Sequence, residues 1–208
     1  MERGKFITLE GGEGAGKSTQ VPYLKAFLES YGCQTVITRE PGGSPGAELI
    51  RKLLVHGTPI QWDSLTEYLL LSAARRDHIE TVIKPALEQG KWVICDRFFD
   101  SSLAYQGAGG GVTEETLYQI YNMIAPDFEP DVTFIFDLPV DIGLQRTRER
   151  AALDDWFEKM SVDFHQCIRN KFREILEKNP QRCYLVNAQD SIENISNALQ
   201  KHLMKFLK

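Results

Sequence analysis

A glycine-rich segment near the start of the chain has the residue types that hold phosphate groups. Residues 11–18 read G-G-E-G-A-G-K-S, which fits the pattern G-x-x-x-x-G-K-[ST]. Glycines allow consecutive backbone N–H groups to point into one concavity, and a helix that begins there adds partial positive charge. The pattern therefore predicts a nucleotide-binding loop between a strand and a helix. The residues expected to contact the nucleotide in this loop are Gly11, Gly12, Glu13, Gly14, Ala15, Gly16, Lys17, Ser18 and Thr19.

Side chains at the end of this loop suit ATP and Mg²⁺. We expect Lys17 to reach the β- and γ-phosphates, the hydroxyl of Ser18 to bind Mg²⁺, and Thr19 to reinforce the first helical turn. A phosphate loop alone does not distinguish a kinase from a GTPase switch or a mechanical ATPase.

A second pair of functional side chains follows a short apolar run. Residues 93–97 read V-I-C-D-R, so Asp96 and Arg97 come directly after a predicted strand. Open α/β sheets bind ligands at the carboxyl ends of their strands. Asp96 is therefore a candidate for holding Mg²⁺, through a water, and the planar fork of Arg97 can bind a phosphate.

The GTPase interpretation lacks its own motifs. Asn170 and Lys171 do not begin N-K-x-D, the motif that reads guanine, and neither Asp96 nor Asp137 begins D-x-x-G. Another P-loop kinase of nucleotides or nucleosides remains the alternative among enzymes.

Three further segments carry a family resemblance. Residues 96–107 read D-R-F-F-D-S-S-L-A-Y-Q-G, which resembles the D-R-x-x-x-S-x-x-A-Y-Q-G signature of thymidylate kinases. Residues 38–43 (T-R-E-P-G-G) and 73–75 (A-A-R) resemble two other motifs of that family, in the same order. The resemblance implies transfer of the γ-phosphate of ATP to deoxythymidine monophosphate (dTMP), giving dTDP and ADP.

The resemblance also implies residues for binding dTMP. Arg39 and Arg97 would contact the acceptor phosphate, and Arg75 would donate a hydrogen bond to thymine O4. The other residues expected to line the nucleoside pocket are Ser101, Ser102, Tyr105 and Gln106.

The same family resemblance implies contacts with the sugar and with the base. Tyr105 would pack against the deoxyribose and leave no room for a 2′-hydroxyl, while the carboxylate of Glu13 would approach the 3′-OH. Leu71 lies four residues before Arg75, where the family usually has a phenylalanine that stacks on the base. Leu71 is therefore expected to cover the thymine ring.

A charged segment near the middle of the chain is interpreted as a lid at about residues 145–156. It resembles the bacterial subclass, whose catalytic arginine lies in the lid, and the arginines available are Arg146, Arg148 and Arg150. The family usually has D-R where this chain has Asp154 and Asp155, so the assignment among the three stays open, with Arg150 preferred. A solvated charged helix face is the alternative.

The residues V-N-A at 186–188 resemble a strand-end V-D-A of the family. Adenine is accordingly expected beside Asn187 and Ala188.

Five short apolar runs would position these groups, at residues 6–9, 35–38, 92–95, 132–138 and 183–186. Continuous apolar runs are typical of parallel strands covered on both faces, and helical spacing separates them. The pattern predicts an α/β fold, and the resemblance implies a P-loop NTPase-type fold with a five-stranded parallel sheet.

Local patterns predict details of three segments. A first helix should begin near Lys17, kink at Pro22 and end at Gly32, and the last helix should begin with a capping box of Asp190 and Glu193. The glycines of residues 107–111 suggest a mobile loop.

Composition limits the class of protein. The chain has 208 residues, 42% hydrophobic content and a net charge of −5, which favours one globular domain over residues 1–208 and argues against nonspecific nucleic-acid binding. Its four cysteines form no C-x-x-C pair, and the apolar run before Glu10 is too short for a signal peptide or membrane span. We expect a cytoplasmic protein without membrane contact, and the family resemblance implies a homodimer.

Overall fold

The computed structural model describes residues 2–55, 62–149 and 160–207, and contains one five-stranded parallel sheet in the order β2-β3-β1-β4-β5. The strands are β1 (Phe6–Gly11), β2 (Thr35–Arg39), β3 (Trp92–Asp96), β4 (Val132–Asp137) and β5 (Cys183–Asn187). Each strand begins at its predicted residue, and the predicted α/β class is confirmed.

Helices occupy most of the chain between the strands. They are α1 (Lys17–Ser30), α2 (Pro45–Val55), α3 (Ser64–His78), α4 (Lys84–Glu88), α5 (Phe99–Ser102), α6 (Glu114–Ile124), α7 (Val140–Glu149), α8 (Val162–Lys178) and α9 (Ile192–Leu203). A π-helical segment, Ile79–Ile83, joins α3 to α4, a second, Leu103–Gly109, continues α5, and a 3₁₀ turn, Met204–Phe206, follows α9.

Two hydrophobic cores lie on opposite faces of the sheet. Ile7 and Leu9 of β1 pack with side chains of α1 and α9, whereas Phe6 packs with side chains of α3, α6 and α8. Alternate residues of one strand therefore enter different cores, which explains why the apolar runs are continuous. At the two edges of the sheet, Ile37 of β2 and Leu185 of β5 are exposed.

Helix α1 agrees with its sequence pattern at both ends. It begins at Lys17, contains Pro22 and is followed by Gly32 at φ +80°, the left-handed conformation that often ends helices. Pro22 has no N–H, so the carbonyl of Ser18 lacks its usual helical donor. The kink expected at Pro22 stays a prediction.

The predicted cap of the last helix is wrong. The hydroxyl of Ser191, not the carboxylate of Asp190, accepts the backbone N–H of Asn194 at 3.1 Å. Asp190 lies one residue further out and accepts the side-chain amide of Asn194 instead. Ser191 has the extended backbone of an N-cap, so the helix begins one residue later than the capping-box pattern indicates.

The prediction of a glycine-rich loop at residues 107–111 is also wrong for its first part, since Gly107 to Gly109 are π-helical. A Cβ on Gly109 would lie 2.5 Å from the ring of Phe164, and one on Gly110 would lie 2.4 Å from the hydroxyl of Ser64. These glycines allow close packing between helices. In the part of the chain that the structure describes, no helix has the length and apolar character needed to cross a membrane.

Candidate active site

The phosphate loop joins β1 to α1, which confirms the strand-loop-helix context predicted for it. Gly11, Gly14 and Gly16 have φ of +137°, +68° and +87°, a conformation that L side chains rarely adopt. A Cβ on Gly14 would also lie 2.3 Å from the Gly143 carbonyl oxygen at the start of α7. The glycines are thus required by backbone conformation and by close contact.

Lys17 lies across this loop. Its Nζ donates hydrogen bonds to the carbonyl oxygens of Gly11 at 3.0 Å and Gly12 at 2.9 Å, and the side chain is buried. Burial, and then the nearby charge of Arg97, lowers the pKa of Lys17 to about 8. A bound anion would favour the charged form, so the loop is suited to phosphate.

Ser18 and Asp96 bring two oxygen atoms together beside the loop. The Ser18 hydroxyl donates to Oδ2 of Asp96 at 2.6 Å. The described residues contain no group of three or more acidic, histidine or cysteine side chains that could hold a metal. Mg²⁺ commonly takes one or two protein oxygens and completes its shell with water and phosphate, so this oxygen pair fits Mg²⁺.

Arg97 follows β3 in a strained backbone conformation, at φ +67°. Its guanidinium donates to the Gly11 carbonyl at 3.0 Å and to Glu13 at 2.6 Å, and lies 4.8 Å from the centre of the Tyr105 ring. These contacts hold the fork of Arg97 beside the phosphate loop.

Glu13 connects the phosphate loop to the neighbouring cleft. It accepts hydrogen bonds from Arg97 and, at 2.8 Å, from the hydroxyl of Tyr105. Burial alone would raise the pKa of Glu13, but the charges of Arg97 and Lys17 outweigh burial and lower it. Glu13 is therefore an acceptor, as contact with a sugar hydroxyl requires.

One cavity of about 300 Å³ opens from the phosphate loop. Its walls include residues 13–18 of that loop and every acceptor residue predicted beyond it, namely Arg39, Leu71, Arg75, Arg97, Ser101, Ser102, Tyr105 and Gln106. Gly11, Gly12 and Thr19 of the loop are not among the residues that line this cavity. Segments far apart in sequence thus meet in one space large enough for a small ligand.

Arg39 lies on the outer wall of the cavity. It is half-exposed and pairs with Glu48 of α2 at 3.1 Å. An ion pair this exposed contributes little to stability, so Arg39 can exchange Glu48 for an incoming phosphate.

Some lining residues were not predicted, among them Glu40, Arg51, Leu54 and Glu67. The spacing of α3 could have revealed Glu67, because Glu67, Leu71 and Arg75 follow one another at intervals of one helical turn. Burial raises the pKa of Glu67 to about 7, and its carboxylate accepts from Gln106 at 3.4 Å.

Ser101 faces the protein interior as well as the cavity. Its hydroxyl donates to the buried carboxyl of Glu10 at 2.5 Å, and the backbone N–H of Phe98 donates to the other Glu10 oxygen at 2.7 Å. Burial, with the charge of Asp100 second, raises the pKa of Glu10 to about 8. Glu10 thus supports the turn that carries Arg97.

The burial of Glu10 makes the stability of the folded protein depend on pH. The folded protein keeps a proton on Glu10 up to about pH 8, whereas the unfolded chain loses it near the ordinary value of 4.5, so the stabilisation from this group is lost as pH rises between these values. In Glu10→Gln the amide oxygen can accept from the Phe98 N–H and the amide nitrogen can donate to the Ser101 hydroxyl, and the side chain does not titrate. The urea midpoint of this variant should therefore fall less between about pH 5 and about pH 8 than that of the wild type. Parallel pH profiles for the two proteins would contradict the assignment, and Glu29→Gln on the surface serves as the control.

The lid arginines have different surroundings. Arg146 of α7 donates to the Ala188 carbonyl at 3.0 Å, and Arg148 is exposed near the end of α7. Arg150 lies outside the described residues, as do Asp154 and Asp155 of the predicted lid.

The predicted adenine segment follows β5. Asn187 ends the strand and is exposed, and the buried Ala188 donates its N–H to the Asp137 carbonyl at 3.0 Å. Arg146 therefore links α7 to the segment predicted to contact adenine.

Comparison with known proteins points to one family. A family model described as thymidylate kinase matches residues 9–199. The thymidylate kinase of Bradyrhizobium sp. (strain ORS 278) is 48% identical over 197 residues, covering 94% of this chain and 87% of the relative. The thymidylate kinase of Rhodopseudomonas palustris (strain BisB18) is 47% identical over 209 residues, covering 97% of this chain and 91% of the relative.

A solved structure supports the same relationship at the level of the fold. Thymidylate kinase from Ehrlichia chaffeensis superposes with a TM-score of 0.78 at 35% identity, covering 97% of this chain and 99% of that one. Because sequence and fold agree over nearly its whole length, this chain belongs to the thymidylate kinase family.

Proposed function

We propose that this protein transfers the γ-phosphate of ATP to dTMP, giving dTDP and ADP. The observation that carries the proposal is the single cavity shared by the phosphate loop and the acceptor wall. Arg97 joins the two parts, because its guanidinium contacts Gly11 and Glu13 of the loop and lies against Tyr105 of the wall.

The reaction is an in-line attack by the acceptor phosphate on the γ-phosphorus. A phosphate monoester is already ionised near neutral pH, so no general base is required. Lys17, Arg97 and a lid arginine stabilise the charge on the transferred group, and the loop orients ATP. Mg²⁺, held by Ser18 and through a water by Asp96, would neutralise charge on the phosphates.

The sugar is selected by Tyr105 and Glu13. The Tyr105 hydroxyl is held at 2.8 Å by Glu13, so the ring has a defined place in the wall. A ring fixed against the deoxyribose leaves no room for a 2′-hydroxyl, and the Glu13 carboxylate can accept the 3′-OH.

The rival function is phosphorylation of another nucleoside monophosphate on the same fold. A coupled assay of ADP release, with the deoxymonophosphates of thymidine, uridine, cytidine and guanosine offered separately, distinguishes the two. The proposal requires the highest kcat/KM with dTMP, and an equal or higher value with another acceptor would overturn it.

The base pocket gives a test through Leu71. This side chain lines the cavity one helical turn before Arg75, where it can cover the thymine ring but cannot stack on it. Aromatic pairing adds about 0.5–1.5 kcal/mol beyond buried area, so Leu71→Phe should tighten dTMP binding roughly two- to tenfold. Calorimetric titration of dTMP measures the change.

Leu65→Phe, at an exposed position of the same helix that does not line the cavity, is the matched control. Equal affinities for dTMP in Leu71→Phe and the wild type would show that Leu71 does not cover the base.

Assembly and location complete the proposal. Large apolar side chains are exposed on three neighbouring helices, Leu49 of α2 at 64%, Leu69 of α3 at 48% and Met123 of α6 at 75%. This surface supports a homodimer with two-fold symmetry, which sedimentation equilibrium tests. We assign the protein to the cytoplasm, where its two substrates are available.

A further inference from the structure

A chain of buried polar groups lies behind Arg75. The Nε of Arg75 donates to Oε2 of Glu40 at 2.7 Å, Oε1 of Glu40 contacts Nδ1 of His78 at 3.2 Å, and Nε2 of His78 contacts the Thr38 hydroxyl at 2.6 Å. None of the four side chains is more than 8% exposed. Contacts of this kind are strong orienting interactions because no water competes with them.

The direction of each hydrogen bond follows from the chemistry of the groups. A carboxylate paired with a guanidinium only accepts, so Nδ1 of His78 must donate to Glu40. In a neutral imidazole Nε2 then accepts, and the Thr38 hydroxyl donates to it. Hydrogen bonds therefore connect Thr38 to His78, His78 to Glu40, and Glu40 to Arg75, with no gap between them.

The loop after β2 encloses this chain. Gly43 has φ +89°, and a Cβ there would lie 2.3 Å from the Thr38 hydroxyl oxygen and 2.4 Å from Nε2 of His78. Any larger residue would separate the loop from the Thr38–His78 contact. Gly43 thus allows the backbone to cover these polar groups.

Arg75 retains one donor group for a ligand. Its Nη2 donates to Ser102 at 3.1 Å, and the face of its guanidinium lies 5.3 Å from the ring centre of Phe98. Among the described residues no partner is found for the buried Nη1, and Arg75 lines the cavity. A buried N–H group without an acceptor is costly, so an oxygen of the ligand is its natural partner.

We propose that Glu40 and His78 are positioning residues that set base selectivity by fixing the plane of the Arg75 guanidinium. This inference rests on the proposed use of dTMP. Glu40 holds Nε of Arg75 and Ser102 holds its Nη2. Nη1 of Arg75 can then donate a hydrogen bond to a carbonyl oxygen at position 4 of the base, but it cannot do so to an amino group at that position. His78 acts one step back, because it holds the carboxylate that holds the arginine.

Thymine and cytosine differ at that position. Thymine has an oxygen that accepts a hydrogen bond, whereas cytosine has an amino group that donates one. A guanidinium that can turn would lose contact with the oxygen and would no longer exclude the amino group. The ratio of kcat/KM for dTMP to that for dCMP therefore reports on the orientation of Arg75.

A pair of substitutions at His78 separates positioning from general stability. The side-chain nitrogen of asparagine can take the place of Nδ1, so His78→Asn keeps the donor to Glu40. Glutamine reaches instead toward Thr38, so His78→Gln loses the contact with Glu40. Both substitutions place one neutral amide in the same buried site.

We expect His78→Gln to lower the dTMP/dCMP ratio about tenfold, through a higher KM for dTMP at nearly unchanged kcat, the scale of one lost hydrogen bond. The ratio in His78→Asn should stay within about twofold of the wild type. A purely structural role would change both variants alike in thermal stability and leave both ratios unchanged.

Equal ratios in the two variants would overturn the inference. If neither His78 variant folds, Glu40→Asp decides, because the shorter side chain cannot reach both Arg75 and His78. A lowered dTMP/dCMP ratio then supports the inference, and an unchanged ratio refutes it. A wild-type protein that does not prefer dTMP would instead refute the proposed function, so the two failures are distinguishable.

Discussion

Replacing Lys17 with alanine is expected to lower kcat by about 10³-fold or more, because the substitution removes a positive charge from the point where phosphate charge develops. The Nζ of Lys17 is already held at the phosphate loop by the carbonyls of Gly11 and Gly12. Among the residues that the structure describes, no other lysine lines the cavity. Steady-state measurement of ADP release with saturating ATP and dTMP gives the change directly.

The fold should tolerate this substitution. Lys17 donates to two carbonyl oxygens and forms no ion pair with a carboxylate at salt-bridge distance among the described residues, so its removal leaves no buried anion without its partner. Burial lowers the pKa of Lys17, which means that the charged form is disfavoured in the absence of an anion. We therefore expect a thermal midpoint near that of the wild type.

Lys25→Ala is the matched control for Lys17→Ala. Lys25 lies on the same helix, but it is exposed and pairs with Glu29 four residues later. Its replacement should leave kcat unchanged. Turnover of Lys17→Ala near the wild-type value, in a protein that melts normally, would show that the phosphate loop does not hold the transferred group.

The features predicted well from the sequence are those encoded by contiguous residues. A strand covered on both faces gives a continuous apolar run, and a phosphate loop needs glycines at fixed intervals because its backbone has positive φ. The pocket residues were predicted from longer sequence motifs, and in the structure they line one cavity. The signature at residues 96–107 is the most specific of these motifs, and the motif at residues 38–43 occurs in the family's order before it.

Contacts between distant segments could not be predicted in the same way. Glu40 and His78 are 38 positions apart and meet because the segment that follows β2 lies against the end of α3. Neither residue has a local pattern that marks it as polar and buried. Likewise, Ser101 belongs to a recognised signature, but nothing in that signature indicates that its hydroxyl faces Glu10.

The structural role of a glycine is ambiguous in a sequence for a physical reason. The same residue type permits mobile loops, left-handed turns and close helix packing, and the sequence does not say which is used. Gly14 and Gly16 serve the turn of the phosphate loop. Gly109, the last residue of the π-helical segment, and Gly110, which follows it, instead allow close contact with Phe164 and Ser64 in a region that the sequence alone suggested was a mobile loop.

The three arginines of the lid segment should differ in their effect on catalysis. Arg146 is already engaged by the Ala188 carbonyl, beside the segment predicted to contact adenine. Its replacement by alanine should raise the KM for ATP more than it lowers kcat. Arg148 is exposed near the end of α7 and has no requirement for packing.

Arg150→Ala is expected to lower kcat by about 10³-fold or more, the scale of arginines that stabilise a transferred phosphoryl group, with little change in the KM for dTMP. An arginine delivered by lid closure provides its charge only when both substrates are bound, which protects ATP from hydrolysis. Gln145→Ala, a substitution of an uncharged residue of α7, is the control and should be neutral. Single replacements of Arg146, Arg148 and Arg150 that each lose less than about tenfold would show that the lid does not supply the catalytic charge.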